Sequence, residues 1–241
     1  METENNKFLL PGAIVVAGII VALGLVLDVD EPRTPIAAQG KPVETEGLTL
    51  PVTWGDLGRQ MVANGTIDPE KLQYAYEFDN KELEITRENA GRLLNVLWAL
   101  GLSSKNEILE QGEMTDPRFG GVENFASTAG WTAARGSAMS HYSMHRYFEL
   151  DSEQQNRVDR VSRDIYRPCC SNSAHFPDCN HGMAMLGLLE LLASQGAGEE
   201  EMRNAALAVN SYWFPSRSSP GGCSIESGAT PAPTKQSGCG L

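Results

Sequence analysis

The sequence predicts an all-α fold, with a single N-terminal transmembrane helix followed by a compact multi-helix extracytoplasmic domain. Three observations carry this expectation. Phe8 to Leu27, "FLLPGAIVVAGIIVALGLVL", contains no charge. From residue 53 to 214 the apolar residues recur mostly at helical spacing. No run in the chain reads convincingly as a strand.

The elements follow in order. Twenty helical residues span roughly 30 Å, the thickness of a bilayer core. The run from Phe8 to Leu27 exceeds the roughly 7–15 apolar residues of a signal-peptide core, so residues 1–27 are expected to be a membrane anchor over a cleaved leader. Residues 28–52, rich in Pro, Gly and charge, read as a linker. Thr86 is placed to cap a helix carrying Ala90, Leu93, Leu94, Leu97 and Leu100, with Gly101 as its stop. Ser152 and Gln155 form a capping-box pattern ahead of the stripe Val158, Val161, Ile165. Asn180 is placed to cap a helix from His181 to Gln195, ended by Gly196, in which Glu190 is the only charge. A helix this apolar all round is expected to be the central buried one. The stretch "GEEEMRNAALAVNSYWF" supplies a last amphipathic helix, and the residues between Glu113 and Gly130 read as a long ordered loop. Residues 215–241 form a Ser/Gly/Pro-rich tail expected to be disordered. The folded domain is thus expected over residues 53–214.

The formal charge of −12 excludes a nucleic-acid partner of the ordinary kind, because such binding rests on Lys and Arg neutralising phosphates. The acids are scattered and read as a solvated face.

Chemistry concentrates in one region. All four histidines fall between His141 and His181, a span that also holds Cys169, Cys170 and Cys179. In "CCSNSAHFPDCNH", Cys169, Cys170, Cys179 and His181 offer three thiolates and an imidazole, with His175 as a spare. This donor set suits tetrahedral zinc or a soft Cu(I) site. Four residues apart, His141 and His145 would share one helix face and complete or adjoin the site. Met139, Met144, Met183 and Met185 lie close in sequence to these histidines and favour copper over zinc, although methionines on an apolar helix are equally core filling. Cys179 stands where a helix begins, an environment that favours the thiolate. An odd cysteine left after any pairing among the three points to chemistry rather than stapling. Cys223 and Cys239 lie in the polar tail, where nothing packs, and are candidates for a metal relay.

The stretch from Tyr166 to Trp213, "YRPCCSNSAHFPDCNHGMAMLGLLELLASQGAGEEEMRNAALAVNSYW", resembles the cysteine-first helical hairpin of the CcmH family of cytochrome c maturation proteins. It is also similar to exported lipoproteins of the Pro-Cys-Tyr-Cys type. Gly198, Glu199 and Glu200 occupy the turn between the two helices of that hairpin. The resemblance implies thiol chemistry, but this chain has adjacent cysteines in place of CxxC, which favours ligation.

The expectation is therefore a membrane-anchored copper-binding protein acting in metal capture, delivery or sensing, with zinc as the runner-up ion. Its partners would be the membrane, the metal ion and another exported metal- or thiol-handling protein. Two alternatives stand beside it. One is a thiol–disulfide oxidoreductase using Cys169 and Cys170 with Cys179 as the resolving partner. The other is a structural zinc domain presenting an interaction surface.

Overall fold

A computed structural model describes residues 47–72, 78, 81–168 and 172–215. The all-α expectation is corrected at once, because among the described residues seven α-helices are joined by four strands in two small sheets. Strand β1 (Leu48–Thr53) pairs antiparallel with β2 (Glu82–Ile85), with Leu48 opposite Ile85 and Thr49 opposite Glu84. The physical basis is a period of two: Leu50 and Val52 point inward between exposed Thr49 and Pro51, as do Leu83 and Ile85 between exposed acids. β1 begins inside the stretch that reads as linker. Pro51 has no N–H to give a ladder, and the register shifts between Thr49 and Thr53. The second sheet is the short antiparallel pair β3 (Tyr166–Arg167) and β4 (Asn172–Ser173).

The helices are α1 (Leu57–Asn64), α2 (Ala90–Ser103), α3 (Glu107–Gln111), α4 (Ala126–Ala129), α5 (Ser152–Asp164), α6 (Asn180–Ser194) and α7 (Glu199–Trp213). The centre is the crossing of α2 and α6, both buried along most of their length. Two glycines let their backbones meet. A Cβ on Gly101 would lie 2.0 Å from the Met183 carbonyl oxygen, and one on Gly187 would lie 2.5 Å from that of Leu97. Gly101 is therefore a packing residue rather than a stop, and α2 continues to Ser103. Met183 and Met185 are fully enclosed core residues on α6. Against this pair pack α5, which buries Val158 and Val161, and α7, which buries Met202, Ala206 and Val209.

The caps differ slightly from the sequence pattern. Asp151, not Ser152, opens α5: Gln154 N–H donates to Asp151 Oδ1, and Asp151 N–H donates back to Gln154 Oε1, both at 2.8 Å. Gly196, at φ +89°, turns the chain out of α6 towards α7.

The membrane placement is also corrected. Among the described residues no helix is long and apolar enough to cross a membrane. The most apolar helices, α2 and α6, have 14 and 15 residues and are spent on the core. Helices of that length rise about 21–23 Å, short of a bilayer core. Residues 8–27, on which the single-pass, extracytoplasmic expectation rested, lie outside the described residues.

Candidate functional site

The start of α6 is the best-built polar site in the fold. Arg167, at the end of β3, is a fully buried arginine. Its Nη1 donates to Asp178 Oδ1 at 3.0 Å and to Cys179 Sγ at 2.7 Å. Its Nη2 donates to the carbonyls of Ser173 (2.9 Å) and Phe176 (2.6 Å). Burying a guanidinium is tolerable only when its donors are satisfied in this way. Local sequence makes the room: a Cβ on Gly182, in the first turn of α6, would fall 2.6 Å from Nη1. Cys179 is the residue that opens α6, so its sulfur meets both the guanidinium and the positive end of the helix dipole. Both favour an anionic sulfur. Burial pushes the Asp178 carboxyl upward, Arg167 opposes that shift, and Cys179 adds to it. One buried guanidinium thus contacts both the Asp178 carboxyl and the Cys179 sulfur.

Cys169 and Cys170 lie outside the described residues, as do Cys223 and Cys239. The strands that flank Cys169 and Cys170 are both tied to the start of α6. Arg167 reaches Asp178 and Cys179, and Asn172 Nδ2 lies 3.4 Å from Asp178 Oδ2. Among the described residues, no group of three or more His, Cys, Asp or Glu is placed to hold a metal ion.

The four histidines occupy three separate environments. His181 follows Cys179 by two residues, and its ring packs on Trp213 and Phe214 with centroids 5.8 and 4.6 Å away. Its Nδ1 is buried without a hydrogen-bond partner. His175 lines a cleft between α3 and α5, with Nε2 2.8 Å from Asp159 Oδ1.

His141 and His145 meet each other, with Nδ1 of the first 3.1 Å from Nε2 of the second. They do so without sharing a helix. A 3-10 turn over Ala138–Ser140 and a left-handed Ser143 (φ +52°) fold the second imidazole back onto the first. His141 Nε2 lies 3.1 Å from the Arg135 carbonyl, so that nitrogen donates. Nδ1 of His141 then accepts from His145. Burial, with His141 adding to it, holds the His145 pKa below its ordinary value. Tyr147, which stacks on His145, joins Thr66 (3.1 Å) and Asn64 (2.7 Å) to this network. Among the described residues no hydrogen bond or ring contact is shown linking the pair to Cys179 or His181. Of the nearby methionines, Met144 is exposed.

Sequence reasoning passed over two residues that matter here, Arg167 and Asp159, and gave a third, Glu190, no role. Arg167 stood two positions before the cysteine pair, and its neighbourhood of anions was readable in "FPDC". Asp159 occupies the exposed side of an amphipathic helix and carries no local mark of pairing with His175. Glu190 was visible as the lone charge of α6 and is fully buried in the core, its two oxygens without a hydrogen-bond partner of normal geometry. Desolvation pushes its pKa to about 8, with Ser104 and Asn106 opposing the shift.

No protein-family model, curated protein or solved structure matches this chain, so these geometries stand on their own.

Proposed function

We propose that the protein carries out thiol–disulfide exchange, with Cys179 as the buried resolving thiolate and Cys169 or Cys170 as the thiol that meets the substrate. The observation that carries this reading is the 2.7 Å contact between Arg167 Nη1 and Cys179 Sγ at the start of α6. A guanidinium and a helix N-terminus both stabilise the attacking form of sulfur, the thiolate. The same cation stands against the copper expectation, since a metal on Cys179 would put a second positive charge beside a buried one.

Cys179 is only 6% exposed, which suits an internal second step better than a first encounter. The chemistry balances as two displacements. The thiolate of Cys169 or Cys170 attacks one sulfur of a substrate disulfide, forming a mixed disulfide and releasing one substrate thiolate. Cys179 thiolate then attacks the protein-side sulfur and expels the second substrate thiolate. Two electrons pass to the substrate, and an internal disulfide remains for an external dithiol to reduce.

The test uses the full chain with Cys223, Cys239 and either Cys169 or Cys170 replaced by Ser, so that Cys179 has a single thiol partner, reduced and mixed with 5,5′-dithiobis(2-nitrobenzoate). The parent should release two thionitrobenzoate anions in quick succession and form an internal disulfide. Cys179→Ser should release one and retain a mixed disulfide detectable by intact mass. Equal behaviour of the two proteins overturns the reading.

A second reading keeps a soft metal, copper before zinc, and one observation favours it. His181 Nδ1, two residues from Cys179, is an enclosed imidazole nitrogen with no partner. Stoichiometric Cu(I) binding that is lost in His181→Gln would select this reading.

A further inference from the structure

We infer that the cleft between α3 and α5 is a binding site for an alkyl ammonium group, the chemistry shared by a small diamine and a lysine side chain. This inference is independent of the thiol chemistry and rests on different residues.

The cleft has a volume of about 340 Å³ and is lined by Glu107, Glu113, Gln155, Asp159, Arg163 and His175 among others. Its floor is His175, only 4% exposed. Arg163 clamps Asp159 through two hydrogen bonds of 3.0 Å, one to each carboxylate oxygen. That ion pair holds the Asp159 pKa below the ordinary carboxylate range, with burial opposing and His175 assisting. Asp159 is therefore an acceptor, and the proton between it and His175, 2.8 Å away, sits on Nε2.

The consequence falls on the other ring nitrogen. In the neutral imidazole Nδ1 then carries a lone pair, and that nitrogen is buried without a hydrogen-bond partner. It faces Glu113 Oε1 at 3.6 Å, too far for a good hydrogen bond between them. Two acceptors looking at each other across such a gap are unfavourable unless a donor joins them. An ammonium nitrogen at about 2.8 Å from each would give one N–H to either side.

Charge selects the same ligand. Among the described lining residues, Glu107, Glu113 and Asp159 outnumber the one guanidinium, Arg163, which is bonded to Asp159 and also attracted by Glu113. An anionic ligand would enter against this field. A divalent ion lacks a third donor, because among the described residues no group of three ligands exists. The volume lies at the lower end of the range for small-molecule clefts, which are about 300–1,000 Å³.

The experiment uses the full chain, titrated calorimetrically with 1,5-diaminopentane, with Nα-acetyl-lysine amide, and with 1,5-pentanediol as the uncharged counterpart. The ¹⁵N signals of the His175 ring are followed in parallel. Both amines should bind and shift Nδ1, and the diol should do neither. Tighter binding of the diamine assigns the site to free diamines, and tighter binding of the lysine amide assigns it to a lysine of a peptide. Glu113→Gln, an exposed position, should weaken binding by about tenfold, while Glu123→Gln outside the cleft should not. His175→Gln should abolish binding, and its folding is checked by circular dichroism. The inference is overturned if neither amine perturbs Nδ1, or if Glu113→Gln binds as the parent does. It is equally overturned if His175 is doubly protonated at neutral pH and unmoved by amine.

Discussion

Gly182 and Arg167 occupy one another's space: the position a Cβ would take on Gly182 lies 2.6 Å from the Arg167 guanidinium. The absence of a side chain in the first turn of α6 is what lets a buried cation reach Cys179 Sγ. Gly182→Ala should therefore move the guanidinium while leaving the helix intact, since alanine is the better helix former. The resolving step, read as release of the second thionitrobenzoate, should slow by about tenfold or more, and stability should fall by about 1–3 kcal/mol. Unchanged kinetics in a folded variant would show that Arg167 does not activate the sulfur.

Removing the cation itself should be costlier. Arg167→Ala takes the charged donor from Asp178 and from the carbonyls of Ser173 and Phe176, leaving each only a neutral donor: Asn172 Nδ2, Phe176 N–H and Asp178 N–H respectively. A broken buried pair costs about 3–5 kcal/mol, which urea unfolding at neutral pH should register. A loss below about 1 kcal/mol would mean that water replaces the guanidinium at little cost.

Glu190 makes a prediction about pH. Its pKa rises from the ordinary 4.5 to about 8 in the folded chain, so the folded state holds a proton that the unfolded chain gives up. Its contribution to stability is complete below pH 4.5 and is lost as pH rises through 8. The loss runs at about 1.4 kcal/mol per pH unit within that window. Glu190→Gln should flatten this slope and give a higher Tm than the parent at pH 8. Parallel Tm profiles for the two proteins would refute the burial argument.

His145 should act in the opposite direction. Its pKa is lowered, by burial first and by His141 second, so its neutral form belongs to the folded state. Its contribution is present above the ordinary pKa of 6.5 and is lost as pH falls through the lower folded value. His145→Gln should reduce the acid sensitivity of unfolding below pH 6.5. The comparison of slopes, not of absolute stability, is the readout, because the substitution also removes the bond to His141.

The helix crossing offers a check on the core. Gly101→Ala would drive a methyl group to 2.0 Å from the Met183 carbonyl oxygen, which is backbone and cannot swing aside. Stability should fall by about 3 kcal/mol or more in urea unfolding. A neutral result would mean that α2 and α6 lie farther apart than this crossing places them.

Much of the helical scaffold was readable in the sequence, because each helix buries a local stripe that its own residues announce. Val158 and Val161 on α5 and the near-continuous apolar surface of α6 are local patterns with local causes. Cys179 at the start of α6 was readable for the same reason. The strands were readable too: Leu48, Leu50 and Val52, and Leu83 with Ile85, alternate at period two. They pass unnoticed because each run is short and Pro51 interrupts the first. What only the tertiary structure decided is who meets whom across the chain. Arg167 reaches Cys179 through a hairpin, His175 meets Asp159 across sixteen residues, and His141 meets His145 through a left-handed turn in place of a helix face. Gly101 looked like a stop and is a contact, because whether a glycine ends a helix or admits another depends on what packs against it. Periodicity reports the direction each side chain takes from its own backbone. It carries no record of the partner waiting there, and charge pairing, proton position and ligand space all depend on that partner.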